Sequence, residues 1–127
     1  MTKMVVATGS APEAVGPYSQ AVSSNGLLFC SGQIPLDPAT GELVQGTIAE
    51  ETRRVMDNLT AVLDAGGSSW PNVLKVTAYL TDMADYAEFN EVYGEFTGQE
   101  PPARAAIAVA ALPKGARVEV ECVARVS

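Results

Sequence analysis

Hydrophobic and polar positions change their spacing several times along the chain, and each spacing predicts one element. Residues 5–7 are apolar and predict a short edge strand. Two further runs, Tyr18–Ser23 and Leu27–Gln33, flank Asn25-Gly26, a dipeptide that favours a tight hairpin turn. Because the second run opens with four consecutive apolar residues, it predicts a buried central strand. The first third of the chain therefore contains three strands, the last two paired.

Two segments repeat their apolar residues at helical spacing. Thr47 with Glu50 forms a capping box, and Gly66-Gly67 ends the helix that starts there. Asp85 with Glu88 is a second N-cap signature, and its helix ends near Gly98. The apolar stripes contain Val55, Met56, Leu59, Val62 and Leu63 in the first helix, and Tyr86, Phe89, Val92, Tyr93 and Phe96 in the second. Each helix thus has one face suited to covering a sheet.

Alternation with period two predicts the remaining strands. Leu74, Val76, Ala78 and Leu80 alternate with polar residues between the two helices. Ala105–Ala110 and the alternating run from Val118 to Val126 follow the second helix. The order βββαβαββ predicts an α+β two-layer sandwich in which two helices cover one face of a mixed sheet. The other face would carry Val73, Tyr79 and Val123, and such a half-apolar face predicts association with other copies.

Composition limits the class of protein. The 127 residues fit one domain, 1–127. A net charge of −7 argues against partners with phosphate backbones and against anionic membrane surfaces. The N-terminal apolar run is too short for a signal peptide, so we expect a cytoplasmic protein. Cys30 and Cys122 lie in apolar runs and are predicted to be buried reduced thiols, although sequence does not exclude a disulfide.

The chain contains no histidine, which removes several kinds of catalytic site. Serine and cysteine nucleophiles commonly depend on an imidazole base, and the usual catalytic zinc sites also use histidine. The sequence shows neither a glycine-rich phosphate loop nor a cluster of metal ligands. We therefore expect no metal, and a proton carrier that is a carboxylate, a tyrosine or a bound water.

Arg104 and Glu119 are the main candidates for chemistry. The Arg104 guanidinium is a planar fork that matches a carboxylate, and its immediate neighbours are small or rigid. Glu119 shares a strand face with Arg117 and Glu121 by parity, and in a pocket it would orient water and move a proton. The alternatives are a surface or ion-paired arginine and a solvated strand face.

Three further positions are candidates for ligand contact. A strand that ends in Ser31-Gly32 exposes a hydroxyl and backbone N–H groups, which suit an oxyanion or a water. Tyr18 follows Gly16-Pro17 in a loop, and Asn90 borders the apolar stripe of the second helix. Ordinary turn chemistry, and a helix residue bonded to a nearby loop, are the alternatives.

These motifs together resemble the Rid (YjgF) family, the reactive intermediate deaminases. The resemblance rests on Gly16-Pro17-Tyr18-Ser19-Gln20, Ser31-Gly32-Gln33-Ile34-Pro35, Pro102-Ala103-Arg104, Leu112-Pro113 and Val118-Glu119-Val120-Glu121. It implies a chorismate-mutase-like fold with a six-stranded mixed sheet and two helices on one face. It also implies a homotrimer with ligand sites between subunits and no cofactor. The implied activity is hydrolysis of 2-imino or enamine acids to 2-keto acids and ammonia.

The resemblance also implies a role for each candidate residue. Arg104 would bind the substrate carboxylate, and Glu119 would hold and activate the attacking water. Ser31, Gly32 and the backbone at Ala106 would position substrate, while Tyr18 closes the pocket and Asn90 borders it. The family often has cysteine at the position of Ala106, so this chain lacks that thiol. Two other functions stay open: a trimer that binds small carboxylates without turnover, and nucleic-acid cleavage, which the negative charge disfavours.

Overall fold

The structure is a computed structural model that describes residues 2–126. Its helices are α1 (Ile48–Ala65) and α2 (Tyr86–Thr97), and its strands are β1 (Met4–Val6), β2 (Ala21–Ser24), β3 (Leu27–Gln33), β4 (Val73–Leu80), β5 (Ala103–Ala108) and β6 (Val118–Arg125). Short 3-10 turns occupy Trp70–Asn72, Met83–Asp85 and Pro113–Gly115. The predicted order βββαβαββ is confirmed.

The six strands form one mixed sheet in the order β1-β2-β3-β6-β4-β5. All neighbouring pairs are antiparallel except β4 and β5, which run parallel because α2 connects them. Both helices pack on the same face and enclose the core between the layers. Strand β5 lies at the edge of the sheet, so its residues are accessible from the side as well as from above.

Local signals predicted the best-formed elements correctly. The Thr47 hydroxyl accepts from the Glu50 N–H while the Glu50 carboxylate accepts from the Thr47 N–H, which completes the capping box of α1. Asn25 (φ 53°) and Gly26 (φ 78°) both occupy the left-handed region, as the tight β2–β3 turn requires. Strand β2 is shorter than predicted, because residues 18–20 belong to the preceding loop.

Three predictions about the elements were wrong in detail. Strand β5 starts and ends two residues earlier than predicted, because its parallel pairing with Lys75–Leu80 fixes the register. Asp85 is itself in helical conformation and caps nothing. Instead, Asp82 caps the 3-10 turn before α2, and the Glu88 carboxylate accepts from the Ala49 N–H at 3.0 Å.

The sheet face away from the helices, here called the open face, is partly apolar as predicted. Val73 does not belong to it, because a bulge between Val73 and Lys75 turns Val73 into the core and leaves Leu74 half exposed. Phe29 takes the corresponding role: it pairs with Val123, on a face not covered by either helix, and is 45% exposed. The open face therefore keeps an apolar strip across its middle.

Cys30 and Cys122 are buried free thiols, as predicted, and they lie directly opposite each other on β3 and β6. A hydrogen bond with Cys30 and burial both raise the pKa of Cys122, so this thiol stays protonated and a poor nucleophile.

In residues 2–126, no helix combines the length and apolarity needed to cross a bilayer.

Candidate functional site

Arg104 lies on the edge strand β5 and points to the helix side of the sheet. It pairs with Val76, a core residue of β4, and side chains of paired residues share a face. Its Nη1 donates to Asn90 Oδ1 at 2.8 Å, and its Nη2 donates to the Tyr86 hydroxyl at 2.8 Å. Both acceptors belong to α2, so the second helix fixes the orientation of the guanidinium.

Aromatic rings complete the surroundings of this guanidinium. The Arg104 Cζ lies 4.7 Å from the ring centroid of Tyr93, 5.5 Å from that of Tyr86 and 5.8 Å from that of Phe89. A cation over aromatic faces is stabilised by about 0.5–2 kcal/mol per favourable contact. We call Arg104, Tyr86, Phe89, Asn90 and Tyr93 the Arg104 cluster. The sequence analysis assigned its aromatic residues only to the hydrophobic core. The hydroxyl of Tyr86 was the signal that could have indicated a polar role.

The Arg104 cluster contains a positive charge without an anionic partner. Within residues 2–126, Arg53 pairs with Glu95 and Arg117 pairs with Glu51, but no carboxylate pairs with Arg104. Its hydrogen-bond acceptors are neutral, and its side chain is only partly exposed. A guanidinium that is held in place and not neutralised is suited to bind an anion.

A groove of about 460 Å³ opens beside this guanidinium. It is lined by Tyr93, Gly94, Thr97, Gly98, Pro101, Pro102 and Arg104. Ala106 follows on β5, where it pairs with the buried Ala78 and packs against the core. Asn90 and Ala106 therefore lie on the same side of the sheet as Arg104.

Glu119 lies on the open face, opposite to the side that carries Arg104. Its neighbours Val118 and Val120 are fully buried beneath the helices, so alternation places Glu119 on the other face. Its carboxylate lies directly over Gly32 of β3, where a Cβ would collide with a carboxylate oxygen. A side chain at position 32 would therefore displace the Glu119 carboxylate from its place over β3.

Tyr79 and Glu121 flank Glu119 on the same face. Tyr79 pairs with Glu119 across β4 and β6, and its hydroxyl donates to Glu121 Oε1 at 2.6 Å. This hydrogen bond raises the pKa of Tyr79 to about 12, with burial and the nearby carboxylates adding to it. Burial, followed by the charge of Glu121, raises the pKa of Glu119. We call Gly32, Tyr79, Glu119 and Glu121 the Glu119 cluster.

Ser31 and Tyr18 border the Glu119 cluster at the N-terminal loop. The Ser31 hydroxyl donates to the Ser19 carbonyl at 2.6 Å, and both residues line an open groove of about 380 Å³ together with Tyr18. Tyr18 is 54% exposed, so its ring is free to contact another molecule. Gln20, which the sequence analysis did not single out, fixes this loop: its amide donates to the Pro12 carbonyl at 2.7 Å.

The predicted site residues thus form two groups. Arg104, Asn90 and Ala106 lie on the helix side of the sheet edge, whereas Gly32 and Glu119 lie on the open face with Ser31 and Tyr18 beside them. A cavity of about 580 Å³ between β1 and the loop 7–20 contains neither Arg104 nor Glu119. Among residues 2–126, no three histidine, cysteine or acidic side chains are grouped as metal ligands would be. One protomer therefore does not bring the two charged candidates together.

Parity was wrong for Arg117. It was predicted to share a face with Glu119, but it precedes β6 and turns to the helix side, where it pairs with the buried Glu51. Arg117 lies before the first residue of the strand, and its long side chain reaches the first turn of α1. Parity was right for Glu121, and the hydroxyl of Tyr79 was the neighbour of Glu119 to which the sequence had assigned no polar role.

Comparisons with known proteins agree over nearly the whole chain. The family model described as endoribonuclease L-PSP matches residues 8–126. A RutC family protein of Pyrococcus horikoshii is 50% identical over 122 residues, which are 96% of this chain and 97% of that protein. The human 2-iminobutanoate/2-iminopropanoate deaminase is 45% identical over 124 residues, 98% of this chain and 90% of the human protein. A crystal structure from Thermotoga maritima, 51% identical, superposes with a TM-score of 0.97 over 99% of both chains.

Proposed function

Because the chain belongs to the endoribonuclease L-PSP (YjgF/Rid) family, we propose that it hydrolyses reactive 2-imino and enamine acids to 2-keto acids and ammonia. The human relative carries the name of a deaminase for such compounds. These imines and enamines are released when pyridoxal-phosphate dehydratases act on threonine or serine. The observation that carries the proposal is the Arg104 guanidinium, which is oriented by Asn90 and Tyr86 and has no anionic partner in residues 2–126.

Arg104 binds the carboxylate that every 2-imino acid carries. Two parallel N–H···O bonds from the planar fork fix both the position and the orientation of that carboxylate. The carbon of the C=N bond is directly attached to it, so binding one group places the other. Positioning of this kind contributes several kcal/mol to a reaction in which the electrophile is already activated.

Glu119 supplies the base. Its carboxylate accepts a proton from water while the water oxygen forms a bond to the imine carbon and the C=N electron pair moves to nitrogen. The resulting carbinolamine loses ammonia when the nitrogen is protonated and the carbon–oxygen double bond forms. The sum is imine plus water giving keto acid plus ammonia, with no electron transfer. A half-buried carboxylate with a raised pKa is a better base for this step than an exposed one.

The positions of Arg104 and Glu119 lead us to propose that each site is shared by two copies. Arg104 is on the edge strand of one copy, and Glu119 is on the open face of the next. The exposed apolar strip around Phe29 would be buried where the copies pack together. A homotrimer with three such clefts satisfies this geometry. Ser31, Gly32 and Tyr18 then border the cleft from the Glu119 side, and Asn90 and the Ala106 backbone border it from the Arg104 side.

The test couples the protein to a threonine dehydratase and follows the decay of the imine. Wild-type protein should accelerate the decay, and Glu119→Gln should lower kcat by about 10²–10⁴-fold, the usual contribution of a general base. Glu95→Gln, which changes an exposed ion-paired glutamate, is the control. Decay that wild-type protein leaves unchanged, with binding of a 2-keto acid intact, would favour a carboxylate-binding protein without turnover.

The family description also names an endoribonuclease, and we propose that RNA cleavage is not the activity of this chain. Its net charge is −7, and phosphate backbones bind to basic surfaces. Binding of RNA that persists at high salt would contradict this part of the proposal.

We place the activity in the cytoplasm, where thiols such as Cys30 and Cys122 stay reduced.

A further inference from the structure

Tyr79 and Glu121 lie beside Glu119 and have no assigned part in the reaction. The Tyr79 hydroxyl donates to Glu121 Oε1 at 2.6 Å, within the range of a charge-assisted bond between a hydroxyl and a carboxylate. Tyr79 also faces Glu119 directly across the β4–β6 pairing. The hydroxyl therefore restrains Glu121 on the same face as Glu119, two positions further along β6.

We propose that Tyr79 and Glu121 are positioning residues for Glu119: the tyrosine hydroxyl restrains the Glu121 carboxylate, and the negative charge of Glu121 makes Glu119 a stronger base. The inference rests on the proposed function, because it assigns Glu119 the task of taking a proton from water. A base works best when its affinity for protons is close to the working pH, so a neighbouring like charge has a direct effect on rate.

Within one protomer, Glu121 is the charged residue that acts on Glu119. On β3, the residue under the Glu119 carboxylate is Gly32, which has no side chain. From β4, the facing residue is Tyr79, and the next open-face residue, Thr77, pairs with Glu121. Among residues 2–126, no donor bonds to the Glu119 carboxylate itself, whereas Glu121 is bonded. Three lysines lie on the surrounding elements. Lys75 pairs with Val123 of β6. Lys114 and Gly32 line a cavity of about 170 Å³, and Lys3 lines the groove that contains Ser31.

The direction of the pH effect follows from these charges. Glu119 must be ionised to accept a proton, so kcat/KM falls as the pH drops through the pKa of Glu119. Burial is the larger cause of the raised pKa of Glu119; the charge of Glu121 raises that pKa further and moves the acid limb of the profile to higher pH. Glu121→Gln removes the charge, so the acid limb moves to lower pH. Tyr79→Phe leaves the charged Glu121 carboxylate free to move away from Glu119, so the limb moves in the same direction by less.

The experiment is a titration of the Glu119 side-chain carboxyl by carbon-13 NMR on the full-length protein. The resonance is identified by its absence in Glu119→Gln. Its midpoint should move to lower pH in Glu121→Gln, less far in Tyr79→Phe, and no further in the double variant than in Glu121→Gln alone. Thr77→Val, which removes the hydroxyl of the residue paired with Glu121, is the matched control and should leave the midpoint in place.

The outcomes separate this inference from the proposed function. An identical midpoint in wild type and Glu121→Gln would overturn it, as would a double variant that shifts beyond Glu121→Gln. In an active enzyme, the acid limb of kcat/KM must move with the midpoint, and a limb that stays fixed would also overturn it. Because the titration needs no turnover, a protein without deaminase activity would count against the proposed function while the midpoints still decide the role of Glu121 and Tyr79.

Discussion

The Arg104 cluster and the Glu119 cluster hold opposite charges by different means. Arg104 is fixed by two hydrogen bonds that it donates to neutral acceptors and by three aromatic rings, and all of these groups belong to α2. The Glu119 carboxylate is unbonded within residues 2–126 and is placed by the open space over Gly32. A rigid cation suits ground-state binding of a carboxylate, whereas a carboxylate with a free acceptor is able to bind water and take its proton. The difference in support matches the difference in proposed task.

The largest expected effect comes from removing the fixed cation. Arg104→Ala should lower kcat/KM by about 30- to 5,000-fold, because truncating one partner of a bonded charge pair costs about 2–5 kcal/mol. Arg53→Ala, which removes an exposed arginine paired with Glu95, should change kcat/KM little. Measurement of kcat/KM for both variants decides the point, and an Arg104→Ala protein that keeps full activity would contradict the binding role.

A smaller effect is expected from filling the space under Glu119. Gly32→Ala places a methyl group where the carboxylate lies and should displace it, which lowers kcat by about 100-fold, the cost of a misplacement of about 1 Å. Gly9→Ala is the control, because a Cβ there meets nothing within 4 Å. Steady-state kinetics and circular dichroism of both variants distinguish displacement from unfolding. Equal activity of the two variants would mean that the carboxylate does not need its position over Gly32.

The smallest effect concerns the bonds that orient Arg104. Tyr86→Phe removes one acceptor and should lower kcat/KM by about tenfold. This is the lower end of the effect of a hydrogen bond to a charged group, about 1.5–3 kcal/mol, because Asn90 still accepts from the guanidinium. Tyr93→Phe should instead raise the melting temperature, because the Tyr93 hydroxyl is buried without a partner in the described part of the chain. Thermal unfolding and kinetics of the two variants test this contrast. A Tyr86→Phe protein with unchanged kcat/KM would show that Asn90 and the rings suffice.

The sequence predicted well what neighbouring residues decide, and less well what pairing across the sheet decides. The capping box of Thr47 and Glu50 lies within four residues and was predicted correctly. Glu88 was assigned to a cap on its own helix, but its carboxylate accepts a hydrogen bond from the N–H of Ala49, 39 positions away. The Val73 bulge arises from pairing with β6, which period-two spacing does not encode.

The candidate site shows the same division. Arg104 and Glu119 were identified by residue type and motif, and alternation placed Glu121 correctly beside Glu119. That the two charged groups lie on opposite faces depends on the register of the strands, in which Arg104 pairs with the buried Val76 and Glu119 pairs with Tyr79. The Tyr86 hydroxyl was hidden within the apolar stripe of α2, and Tyr79 was counted only toward the apolar part of the open face. A tyrosine fits a hydrophobic surface and still carries a polar end.

Activity of mixed copies tests the shared site most directly. Arg104→Ala and Glu119→Gln chains, each nearly inactive alone, are coexpressed with different tags and purified together. If each cleft takes Arg104 from one copy and Glu119 from another, every trimer that contains both variants has one complete cleft out of three. The doubly tagged oligomers should therefore have about a third of the wild-type activity. Mixed oligomers that stay as inactive as the parent variants would contradict the account, because no wild-type pair would then form between copies.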